Sequence, residues 1–159
     1  MPSNPVFAAR PLQVGNLDEL SILLVEDNDV DADLIVRALR RGRLVNIVHR
    51  TRDGIEALEF LAADRGDLTS GASLPSLIFL DLQMPRMDGP EFLRRLKLDE
   101  RLKRIPVTIF ASSIEDLDMA QAYRLGADSY IVKPPNFDAF SNAVCEAALY
   151  WLVMKRNTP

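Results

Sequence analysis

Five apolar runs set the rhythm of this chain. Leu20–Val25 (LSILLV), Val45–Thr51, Leu77–Leu80 (LIFL), Ile105–Phe110 (IPVTIF) and Ser129–Val132 are short and rich in Leu, Ile, Val and Phe. The first, third and fourth do not alternate with polar residues, which predicts strands buried on both faces. Between them the period changes. After Asn28-Asp29, residues Val30, Leu34, Ile35, Ala38 and Leu39 repeat at helical spacing, and Gly42 follows as a stop. After Asp53-Gly54, residues Ile55, Ala57, Leu58 and Leu61 do the same. Pro85 and the Asp88-Gly89 pair break the third strand and open a loop, and Asp88 is placed to cap a third helix beginning at Pro90 and ending near Leu98. A fourth helix is expected over Ile114–Leu125, stopped by Gly126, and a last one from Phe137 to about Lys155, capped by Asn136. The segment Asp64–Ser76 reads as a long loop.

Strict β-then-α alternation implies a parallel sheet with right-handed crossovers and helices on both faces. The expected class is therefore α/β, a flavodoxin-like doubly wound five-stranded parallel sheet in the order 2-1-3-4-5. Residues 1–19 carry Pro2, Pro5, Pro11 and Gly15 and read as an N-terminal arm. The domain proper spans 20–155, with a tail at 156–159, and no output domain is expected after it.

Composition narrows the function. In 159 residues, 48% are hydrophobic and 26% charged, which suits one globular domain. The net charge of −4 argues against a nucleic-acid surface. The one basic cluster, Arg37 to Arg43, reads as a helix C-terminus, where cations favour the dipole. A single Cys (Cys145) and a single His (His49) exclude a disulfide framework and do not support a thiol zinc site. No apolar run approaches the length of a membrane span, and no signal-peptide pattern is visible. The expected location is a reducing cytoplasm.

The strand ends carry the chemistry. The first strand ends in Glu26-Asp27, the third in Asp81 and the fifth in Lys133. Parallel strands bring their carboxyl ends to one edge, and the first and third strands flank the switch point of this order. Crowded carboxylates raise one another's pKa unless a cation neutralises them. Hard oxygen ligands away from thiol and imidazole fit Mg²⁺. A carboxylate to attack, a metal and an ammonium are the parts of a phosphoryl transfer. Nucleotide cradles are absent: there is neither G-x-x-x-x-G-K-[ST] nor G-x-G-x-x-G. Asp27-x-Asp29-x-Asp31 imitates a calcium loop, but Ala32 and Ala38 occupy the required Gly and Glu positions, so these acids read as first-turn helix charges.

Taken together, Val25-Glu26-Asp27-Asn28, Asp81-Leu82-Gln83-Met84-Pro85-Arg86-Met87-Asp88-Gly89, Gly126-Ala127 and Lys133-Pro134 resemble the receiver domain of two-component response regulators. The resemblance covers about Ser21 to Trp151. The long loop and the tail Tyr150-Trp151-Leu152-Val153 resemble the small single-domain regulators paired with phytochrome histidine kinases. The resemblance implies that Asp81 is the phosphoacceptor. It further implies Mg²⁺ held by Asp27 and Asp81, by the Gln83 backbone carbonyl and by Glu26 through water. Lys133 is implied to contact the phosphoryl group, with a cis bond to Pro134, and Tyr130 to be the aromatic whose ring moves on activation. The partner implied is a sensor histidine kinase, and the subgroup resemblance implies a bacteriophytochrome. The chain itself is not expected to be an enzyme on a free metabolite, apart from taking phosphate from a donor and hydrolysing it.

One position departs from that pattern. The switch Ser or Thr expected thirty positions after Asp81 is Ala111, and counting twenty-two back from Lys133 reaches the same residue. Ser112 is the next hydroxyl and would contact phosphate if the loop shifted by one. This departure motivates an alternative function, a receiver-like dimerisation module that works without phosphorylation. A third reading, a phosphohydrolase with an Asp nucleophile, lacks its second acid, because Gln83 stands in that place. In the last helix, Phe137, Phe140, Val144, Ala148 and Trp151 form one stripe, and the end is apolar nearly all round. That excess predicts a homodimer interface involving Phe137, Tyr150, Trp151 and Val153.

Overall fold

The computed structural model describes residues 21–42, 47–66, 74–82, 84–113, 124 and 126–154. In chain order the elements are β1 (Ser21–Val25), α1 (Asp29–Arg41), β2 (Ile47–Thr51), α2 (Gly54–Gly66), β3 (Leu77–Asp81), α3 (Gly89–Leu98), β4 (Val107–Ala111), β5 (Ser129–Val132) and α4 (Phe137–Leu149). A π-helical turn, Tyr150–Met154, continues α4. The strands pair in parallel in the order β2-β1-β3-β4-β5, the order expected from the alternation.

The non-alternating apolar runs are explained by two cores, one on each face. Leu23, Val25, Ile78, Leu80, Val107 and Ile109 pack against Ala57 and Leu61 of α2 and Phe92, Leu93 and Leu96 of α3. Their strand neighbours Ile22, Leu24, Leu77, Phe79 and Phe110 face α1, through Ile35, Ala38 and Leu39, and α4, through Phe140, Val144 and Ala148. Successive strand residues point to opposite faces, so a central strand with both faces covered must be apolar throughout.

Side-chain caps begin three helices where the sequence indicated. Asn28 accepts from Asp31 N at 2.9 Å, Asp88 from Glu91 N at 3.0 Å and Asn136 from Ala139 N at 3.0 Å. Each satisfies an orphan donor of a first turn. Helix α2 runs to Gly66, three residues into the segment expected to be loop. The arm 1–19, the tail 156–159, most of that loop and nearly all of the predicted helix Ile114–Leu125 lie outside the described residues. Among the described residues no helix is long and apolar enough to cross a membrane.

The last helix differs from its predicted stripe. Leu152, 1% exposed, joins Phe140, Val144 and Ala148 in the core, in the place expected for Trp151. The wide turn at Tyr150 adds about one residue per turn and rotates the following side chains. Trp151 is thereby turned toward β5, where its indole N–H donates to Ser129 Oγ at 3.1 Å. Ser129 Oγ lies 2.7 Å from Thr108 Oγ1, a fully buried hydroxyl of β4. Phe137 also leaves the stripe: it is partly exposed, beneath the guanidinium of Arg41 at 5.8 Å.

Candidate functional site

Register fixes which strand ends meet. Val25 pairs with Leu80, and one residue further along come Glu26 and Asp81. An oxygen from each of Glu26, Asp27 and Asp81 lies within 4.8 Å of the others. Ala111 pairs with Val132, so Lys133 emerges beside the end of β4. Glu26, Asp27, Asp81, Ala111 and Lys133 line an open cavity of about 180 Å³, together with Asn28, Asp31, Leu82 and Ser112. The sequence-predicted set Glu26, Asp27, Asp81, Lys133, Ala111 and Ser112 is thus brought together. Gln83 falls outside the described residues.

The surrounding loops are tied down by backbone contacts. The Glu26 carbonyl accepts from Arg50 Nε at 3.0 Å and Nη2 at 2.8 Å, and the Glu26 amide donates to Thr51 O at 3.0 Å. Arg50 also reaches Asp29 Oδ1 at 2.7 Å. Beyond Asp81 the chain turns through Arg86, whose φ of 63° is left-handed, a region few non-glycine residues adopt. Its guanidinium is held by the buried Asp53, with Nε 2.7 Å from Oδ2 and Nη2 3.1 Å from Oδ1. Gly89 then passes so close to β3 that a Cβ there would lie 2.6 Å from the Asp81 carbonyl oxygen.

Charge dominates the cavity. Glu26 is 1% exposed, and burial, followed by the charge of Asp81, pushes its pKa up to about 7. Burial also raises Asp81, partly offset by Lys133 and by a hydrogen bond with Glu26. Burial alone would lower the pKa of Lys133. The hydrogen bond to Asp31 and the charges of Glu26 and Asp81 outweigh that effect and leave it raised. Lys133 Nζ lies 2.8 Å from Asp31 Oδ2, 3.4 Å from Glu26 Oε1 and 3.7 Å from Asp81 Oδ1. One ammonium therefore faces more negative charge than it can neutralise. The donors are hard oxygens, while Cys145 bonds to Ala38 O on α1 and His49 meets the Phe60 ring at a tilt. That donor set fits a small, hard divalent cation.

Asp31 was not foreseen as part of this site. Its signal was its place in the first turn of α1, three residues after the cap Asn28 at the same strand end as Glu26 and Asp27. The Lys133–Pro134 bond is trans, unlike the cis bond implied by the resemblance. Tyr130 is half-buried against the core on the α2/α3 face. The residues predicted for an interface are spread over the C-terminal end: Phe137 is 37% and Tyr150 52% exposed, and Trp151 is half-buried. The Val153 side chain lies outside the described set.

The response regulator receiver domain family matches residues 22–145. The probable methanogenesis regulatory protein FilR2 of Methanothrix harundinacea is 40% identical over 140 residues, 88% of each chain. Response regulator Rcp1 of Synechocystis sp. is 34% identical over 131 residues, covering 82% of this chain and 88% of Rcp1. The crystal structure of its Mn²⁺-bound form superposes with a TM-score of 0.71, covering 84% of this chain and 95% of that one at 32% identity. The crystal structure of the phosphorylated cyanobacterial phytochrome response regulator RcpA gives a TM-score of 0.74 at 38% identity, covering 85% and 95% of the two chains.

Proposed function

The chain belongs to the response regulator receiver family, and from that premise we propose that it accepts a phosphoryl group onto Asp81 from a histidine of a partner kinase. The supporting observation is the half-sheltered Asp81 carboxylate, with Glu26 and Asp27 beside it and the Lys133 ammonium 3.7 Å away. In the proposed transfer a carboxylate oxygen of Asp81 attacks phosphorus. The phosphorus–nitrogen bond of the donor breaks, and its electron pair returns to the imidazole. Glu26, Asp27 and Asp81, with the Gln83 carbonyl, would hold Mg²⁺, which supplies positive charge against the phosphoryl oxygens. Lys133 neutralises the remaining charge, and Ser112 is the nearest hydroxyl on the cavity wall. Water later attacks phosphorus, releasing phosphate and restoring the carboxylate. The protein thus serves as a signalling relay in the cytoplasm rather than as an enzyme on a metabolite.

The likeness to Rcp1 and RcpA supports a phytochrome-type kinase as partner. A homodimer is proposed through the last helix, where Phe137 is exposed at its start and Leu149 and Tyr150 at its end, Tyr150 against Trp151. Mg²⁺-dependent labelling with a small acyl-phosphate donor tests the transfer. Wild type should label and Asp81→Asn should not; equal labelling of both would overturn the assignment.

A second reading rests on Ala111. With a methyl where a switch hydroxyl is expected, the protein would act as a dimerisation module indifferent to phosphate. Sizing with and without beryllofluoride separates the two, since the second reading requires no change and no labelling.

A further inference from the structure

The shortest contact of the Lys133 ammonium is to neither Asp81 nor Glu26. It is to Asp31, at 2.8 Å against 3.4 Å for Glu26 and 3.7 Å for Asp81. Asp31 shares the first turn of α1 with Asp29, but its side chain is directed away from the helix. Asn28 supplies the cap, and Asp29, already in the first turn, complements the dipole while pairing with Arg50 and Arg52. From the first turn of α1 the Asp31 side chain reaches instead to the end of β5, 102 residues away in sequence. Only about a third of it is exposed, and Lys133 is more buried still at 15%.

This geometry sets two cations in competition. Glu26 and Asp81 offer the oxygens that a divalent ion needs, and each also has an oxygen within 3.7 Å of Lys133. An ammonium seated between them would neutralise them in the metal's place and would also blunt Asp81 as a nucleophile. Asp31, the carboxylate nearest to the ammonium, draws it out of that position. We propose that Asp31 is a positioning residue that holds the Lys133 ammonium aside, keeping Glu26 and Asp81 open to a divalent cation. The inference deepens the proposed phosphoacceptor site and rests on that reading.

The test is calorimetric titration of the full chain with Mg²⁺, and with Mn²⁺ as a second probe, independent of any phosphoryl transfer. Asp31→Asn should weaken binding about tenfold, the lower end of what outer partners of a metal site contribute. Asp31→Glu, which keeps the charge, should restore most of it. Lys133→Met should tighten binding, because the competing cation is gone. In the Lys133→Met background, Asp31→Asn should change affinity by less than about twofold, as members of one charge network are non-additive. Equal weakening in both backgrounds would show that Asp31 acts only as a nearby negative charge and would overturn the inference. So would wild-type affinity in Asp31→Asn. Asp31→Ser, carried alongside, gives the same comparison should Asp31→Asn fail to fold. If wild type binds neither ion, the metal site itself falls and the inference with it, a result distinct from additive losses.

Discussion

Lys133 donates its backbone amide to the carbonyl oxygen of Ala111 at 2.7 Å. The bond extends the β4–β5 ladder to the edge of the cavity and fixes the methyl of Ala111, 2% exposed, beside the lysine. Ala111→Ser would place a hydroxyl at this wall. One added hydrogen bond of about 1 kcal/mol corresponds to about fivefold in a rate. Phosphate loss from labelled Ala111→Ser should therefore be about fivefold slower than from wild type. The decay of the phosphorylated band on a phosphate-retarding gel measures this. An identical decay would show that a side chain at position 111 does not reach the phosphoryl group.

Gly89 passes beneath Asp81 with no room for a side chain. A Cβ would meet the Asp81 carbonyl oxygen at 2.6 Å and Leu82 Cα at 2.8 Å, both backbone atoms that cannot rotate away. Gly89→Ala should cost about 2 kcal/mol in urea unfolding, as overpacking does elsewhere. It should also reduce labelling, because the backbone that must yield is the one that aims Asp81. Full labelling in a destabilised variant would separate the loop's packing role from its aiming role.

Phe110 joins the sheet to the C-terminal helix. Its ring meets Phe79 edge-on at 5.0 Å and Phe140 at 5.9 Å. Phe110→Ala removes the centre of this cluster and should destabilise the fold by about 3–5 kcal/mol. Denaturant titration gives the figure. A loss below about 1 kcal/mol would mean that α4 collapses onto the gap.

Asp53 predicts a pH dependence. Its hydrogen bond from Arg86 holds its pKa below the ordinary carboxylate value, helped by the amide of Glu56. A folded pKa below the unfolded one contributes stability above the unfolded value and loses it as pH falls through the folded one. The stability advantage of wild type over Asp53→Asn should therefore be present at neutral pH and shrink below about pH 4. Thermal melts at stepped pH test this. An advantage that stays constant down to pH 2 would deny the link.

The sheet and its order were legible because buried central strands leave no polar residue to alternate. Leu77–Leu80 could be little else, and β1 and β3 then had to bring Glu26, Asp27 and Asp81 together. What the sequence hid depends on tertiary contact. Asp31 looked like one more first-turn acid until β5 brought Lys133 to it. Gly89 looked like a turn residue, although the nearness of the Asp81 carbonyl is what excludes a side chain there. Trp151 was assigned to the buried stripe on a helical period that holds only to Leu149. The wide turn beyond it has no signature among apolar residues and shows only in the burial of Leu152.

That wide turn has a practical consequence. Trp151 is the only tryptophan in the chain, and its indole N–H is anchored on Ser129, at the start of the strand that leads into Lys133. Its neighbour Tyr150 stands edge-on at 4.8 Å. The protein thus carries a built-in fluorophore hydrogen-bonded to β5. A shift of this strand would alter the indole's hydrogen bond and its shielding from water, and so its emission, in unlabelled protein at working concentrations.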